Sequence, residues 1–106
     1  MAGYLIAYYK KANGRMPVKD YIKSKQAEEQ GKIKRKMDRL QEMGPFLGMP
    51  SAKKIGAKIH ELRPEGMRLF YYWHGSTAVF VHAVDKKDFT QEDIIFADSR
   101  RRELEG

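Results

Sequence analysis

Between Ile59 and Val84 the chain holds three strand-like runs separated by short turn sequences. The runs are Ile59 to Arg63, Met67 to His74 and Ala78 to Val84, rich in β-branched and aromatic residues. Pro64-Glu65-Gly66 separates the first two, with proline presetting φ and glycine supplying permissive dihedrals. Gly75-Ser76 separates the last two and suits a two-residue hairpin turn. Residues 59–84 therefore predict a three-stranded antiparallel meander.

The rest of the chain is arranged around that meander. Tyr4 to Tyr9 reads as a further strand, apolar on both faces. A polar connection with Asn13-Gly14 leads to Pro17, which fits a first helical turn because its missing N–H is not needed there. Val18, Tyr21 and Ile22 have helical spacing and predict a short helix to about Lys25. A longer helix follows over Ala27 to Met43, with Ile33, Met37, Leu40 and Met43 as its apolar stripe. Lys32, Lys34, Arg35, Lys36 and Arg39 cover its remaining surface, and Gly44-Pro45 ends it. Phe46 to Ala57 reads as a loop. Near the C-terminus Thr90 is an N-cap residue with Asp93 placed as in a capping box. Ile94, Ala97 and Leu104 form the stripe of that helix, and Arg100-Arg101-Arg102 lies where cations suit the helix dipole. The expectation is one α+β domain over residues 1–106, in β-α-α-β-β-β order. A helical hairpin covers one face of an antiparallel sheet and a C-terminal helix completes the domain.

Composition narrows the functional classes. Lys and Arg number 21 against 14 Asp and Glu, a net charge of +7. A small basic domain suits nucleic acid, the ribosome or an acidic protein, although many solvated surfaces carry such charge. The chain has no cysteine, which excludes disulfides and thiolate zinc sites and fits a cytoplasmic setting. No stretch reaches the roughly 20 apolar residues of a membrane helix, and Met1 to Tyr9 lacks the flanks of a signal peptide. No cofactor signature occurs. His60, His74 and His82 fall on three different predicted strands, and their spacing does not demand a metal site.

What remains is a group of cations around the meander. Arg63 ends one strand and Arg68 begins the next; Lys53-Lys54 precede the first strand and Lys86-Lys87 follow the last. Strand alternation puts Arg68 on the face of Phe70 and Tyr72, and cations mixed with rings can hold phosphates and stack bases. Such a site can cleave RNA without a metal. The 2′-hydroxyl attacks the adjacent phosphate, arginine holds the developing charge, and a lysine, histidine or tyrosine moves protons. The alternative is structural: Arg63 and Arg68 pair with Glu61 and Glu65, while Tyr71, Tyr72 and Trp73 pack.

The order Lys53-Lys54-Ile55, His60-Glu61-Leu62-Arg63, Met67-Arg68-Leu69-Phe70-Tyr71-Tyr72 and Val81-His82-Ala83-Val84-Asp85-Lys86-Lys87 resembles the RelE/HigB toxin superfamily, above all its phage-derived Gp49-like branch. The likeness is clearest over residues 46–98. It implies a RelE-like fold and a toxin that cuts mRNA in the ribosomal decoding site, with no cofactor and a cognate antitoxin, often of helix-turn-helix type. By the same resemblance Arg68 contacts the scissile phosphate, Lys86 or Lys87 acts on the leaving group, and Arg63 joins them. Lys53 and Lys54 match the basic loop that holds RNA or ribosomal RNA, and His82 matches a family histidine that either contacts RNA or packs; Tyr72, on the Arg68 face by strand alternation, is the candidate for stacking a base. Asp93-Ile94-Ile95-Phe96 stands where RelE carries a tyrosine that supports catalysis. A ParE-like gyrase inhibitor and a non-catalytic binding module are the competing functions on this fold.

Overall fold

The computed structural model describes residues 3–106. In chain order it comprises β1 (Leu5–Tyr8), α1 (Pro17–Lys23), α2 (Ala27–Met43), β2 (Ala52–Lys54), β3 (His60–Leu62), β4 (Met67–His74), β5 (Thr77–Asp85) and α3 (Gln91–Glu105). The five strands form one sheet in the order β1-β5-β4-β3-β2. The expected meander is β3-β4-β5, paired antiparallel throughout.

Two features extend the expected sheet. β1 joins in parallel with β5, so the sheet is mixed. The α1–α2 hairpin carries the chain back before the meander begins, and it supplies the long crossover that a parallel pairing requires. The segment expected as a loop over Phe46 to Ala57 contains β2, which pairs antiparallel with β3 at the far edge. Its three residues, Ala-Lys-Lys, are too few to show an alternating pattern.

The sheet separates two cores. On one face α1 and α2 bury Val18, Ile33, Met37 and Leu40 against Leu62, Leu69, Tyr71 and Phe80. On the other, α3 covers Ile59, Phe70, Tyr72 and Val81 through Ala97. α3 begins as expected: the Thr90 N–H donates to Asp93 Oδ2 at 2.8 Å. Its inward stripe differs from expectation, because Leu104 is 45% exposed and Arg100 is buried instead. The Arg100 guanidinium donates to the Val81 carbonyl at 2.6 Å and lies over the rings of Tyr9 and Phe96. A long side chain whose charged head meets a carbonyl and aromatic faces can occupy a core position that hydropathy assigns to leucine. Among the described residues no helix is long and apolar enough to cross a membrane.

Candidate functional site

β4 sets the geometry of the site by alternation. Met67, Leu69 and Tyr71 enter the hairpin-side core, and Arg68, Phe70 and Tyr72 point to the α3 side. Cross-strand pairing sets Lys53 opposite Glu61 and Glu61 opposite Phe70, so these residues share that face. Glu61 is nearly buried and stands between the two arginines. Its Oε2 is 3.5 Å from Arg63 Nε and its Oε1 is 3.9 Å from Arg68 Nε. Arg68 is 7% exposed and donates from Nη1 to the Met67 carbonyl at 2.8 Å. Burial and the charge of Arg63 lower the Arg68 pKa, and Glu61 opposes both. Arg63 reaches outward, donating from Nη1 to Met49 Sδ at 3.0 Å.

Lys86 and Lys87 form a single exposed 3-10 turn where β5 leaves the sheet. The Lys86 N–H donates to the Gly66 carbonyl at 2.9 Å, which holds this turn at the end of the sheet where β4 begins with Met67 and Arg68. A cavity of about 580 Å³ there is lined by Lys25, Glu29, Gly66, Asp85, Lys86 and Lys87. Asp85 accepts from Tyr21 Oη at 2.7 Å and pairs with Lys25. These two hydrogen bonds, Lys25 first, lower the Asp85 pKa, and burial followed by Asp85 raises that of Tyr21.

The remaining expected residues divide. Lys53 is exposed on the face of Glu61. Lys54 pairs with His60, which stacks on the hairpin-side Tyr71, so Lys54 belongs to the opposite face. Tyr72 is 4% exposed beneath α3 and presents no free ring for a base. His82 stacks on Phe70, meets Phe96 edge-on, and donates from Nε2 to Asp93 Oδ1 at 2.8 Å. Burial lowers its pKa, with Asp93 opposing, so the ring is neutral near pH 7. Both residues pack α3 onto the sheet. His60 and His82 lie on opposite faces, and no cluster of metal-ligating side chains occurs among the described residues.

Arg63 and Arg68 thus share Glu61, while Glu65 turns away to Lys32 at 2.6 Å. Sequence reading treats Glu61 merely as a counter-ion. Its place is visible once the β3–β4 register is known, because Glu61 of β3 pairs with Phe70 of β4 and so shares a face with Arg63 and Arg68.

The layered order, with a helical hairpin on one face and a C-terminal helix on the other, defines an α+β domain of RelE-like architecture. The chain belongs to the phage-derived Gp49-like protein family, whose model matches residues 20–102. That family is related to the HigB/RelE toxins of toxin–antitoxin modules. Comparison with curated proteins gave no match.

Proposed function

We propose that this protein is the toxin of a toxin–antitoxin pair and a ribosome-dependent mRNA endonuclease working in the cytoplasm. The observation that carries the reading is Glu61 held between Arg63 and Arg68 on the α3-side face, with the exposed Lys86-Lys87 turn at the same end of the sheet. Metal-free RNA cleavage needs a cation at the non-bridging oxygens, a base for the 2′-hydroxyl and an acid for the leaving 5′-oxygen. Arg68 supplies the first. A phosphate arriving there takes the place of Glu61 as its anionic partner, and the carboxylate so released is placed to accept the 2′-hydroxyl proton. Lys86 or Lys87 donates to the 5′-oxygen as it leaves. Lys53 and Arg63 hold neighbouring phosphates. The antitoxin, of helix-turn-helix type, neutralises the toxin.

The test is induced expression with mapping of cellular mRNA 5′ ends. The parental chain arrests translation and creates new 5′ ends within ribosome-bound messages. Arg68→Lys keeps the charge and stem but loses the planar fork, and Lys87→Ala removes an exposed charge. Each is expected to reduce cleavage by roughly 100-fold, the scale for losing one transition-state donor. Full toxicity in both variants overturns the site assignment. DNA damage without new 5′ ends points instead to gyrase inhibition, and neither response to a binding module.

A further inference from the structure

The basic surface of α2 is set apart from the Glu61 site. Lys32, Arg35, Lys36 and Arg39 recur at helical spacing along one flank of α2. With Ser51, Pro64 and Glu65 they line an open groove of about 460 Å³ between the helix and the β3–β4 turn. Its charges are unevenly satisfied. Lys32 pairs with Glu65 at 2.6 Å and stands 3.9 Å from Glu28. Lys36 donates to Ser51 Oγ at 2.8 Å. Arg35 and Arg39 are exposed and pair with no carboxylate among the described residues; Arg39 donates to Met43 Sδ at 3.6 Å.

We infer that this groove is a second RNA contact, a seat for the phosphate backbone away from the cleavage site. The inference rests on the RNA-directed reading above. Lys32 to Arg39 spans about 10 Å at a rise of roughly 1.5 Å per residue, enough to face about three phosphates of one strand. Four cations face the groove against the one carboxylate of Glu65, a single-sign row that suits the repeating charge of a phosphate chain better than the mixed surface of a protein segment. The opposite flank of α2 carries the apolar groove, lined by Ile6, Tyr8, Ile22, Ile33 and Met37. Glu65 limits the basic groove by holding Lys32.

The experiment measures binding of the full chain to a short RNA hairpin, made uncleavable by 2′-O-methylation, across roughly 50 to 200 mM salt. R35A/R39A is expected to weaken binding about tenfold at the low-salt end and to flatten the log–log salt slope by about 1.5, near 0.7–0.9 per lost contact. Glu65→Gln frees Lys32 and is expected to tighten binding several-fold. K19A/K23A removes equal charge from α1 and is expected to leave the slope within about half of one contact's worth. All four cations are exposed, so unfolding midpoints should match the parent. The inference is overturned if the parent does not bind the hairpin, if R35A/R39A keeps the parental slope, or if K19A/K23A loses as much. It is also overturned if a polyglutamate peptide outcompetes the hairpin at this groove. Hairpin binding that depends on Arg35 and Arg39, without any mRNA cleavage in cells, would refute the endonuclease and leave the groove standing.

Discussion

Glu61 is the residue on which the site's electrostatics turn. It is 6% exposed and faces two guanidinium groups, one of them buried. A carboxylate in that position offsets the desolvation of Arg68, and removing its charge while keeping its shape leaves the arginines without a counter-ion. Glu61→Gln is expected to lower stability by about 2 kcal/mol, read as a drop in the urea midpoint at unchanged slope. Added phosphate should recover more stability in this variant than in the parent, because an anion can then occupy the vacated partnership. Equal recovery in both would show that the arginines do not form an anion seat. The residue types of the site were legible in the sequence: Arg63, Arg68 and the Lys86-Lys87 pair all come to one end of the sheet. Their satisfaction was not. Which acid an arginine meets depends on cross-strand register: Glu61 and Glu65 are each two residues from Arg63, and Glu65 is the nearer in sequence to Arg68, yet both arginines meet Glu61.

At the scale of elements, α2 and the meander follow from local pattern alone. The Ile33, Met37 and Leu40 stripe is buried as periodicity requires, whereas Met43, the last residue of α2, is 37% exposed. His82 shows what alternation cannot reach. The β4–β5 register shifts between Phe70 and Tyr71, leaving Val81 of β5 without a partner in β4. That bulge lets Val81 and His82 both serve the α3 side, although Phe80 and His82 are two residues apart and simple alternation gives them one face. α3 is then tied down by His82 to Asp93 and by Arg100 to the Val81 carbonyl. Arg100→Met keeps the stem and removes the donor. It is expected to cost about 1–3 kcal/mol, the penalty of one unmet buried carbonyl, and to speed amide exchange in α3 ahead of the sheet. At the other end of the hairpin, Gly44 adopts φ 56° where α2 stops, and a Cβ there would meet the Tyr4 ring at 2.3 Å. Gly44→Ala combines a backbone penalty with overpacking, so a loss of about 2 kcal/mol or more is expected in thermal unfolding.

The whole molecule couples its two faces through one sheet, and two histidines report on that coupling. His60 stacks on Tyr71 under the hairpin; its pKa is lowered by burial and then by Lys54. His82 stacks on Phe70 under α3; its pKa is lowered by burial and by Arg100, with Asp93 pulling the other way. Both fall below their ordinary value of 6.5, so the unfolded chain binds protons in a range where the folded chain does not. Stability is therefore full above about pH 7 and declines as pH falls through 6.5 toward the lowered folded values, where the decline ends. The carboxylates with lowered values, Glu65, Asp85 and Asp93, add a separate loss at more acid pH as they protonate. Urea midpoints taken from pH 7.5 to about 5.5 should fall in the parent, and His60→Gln and His82→Gln should each remove part of that slope. If the sheet unfolds as one unit, the two variants subtract additively and every probe, on either face, moves together. Should His82→Gln flatten only the α3 signal while His60→Gln flattens only the hairpin signal, the two cores unfold separately. α3 would then be an independently opening cover over the sheet face that carries Arg68.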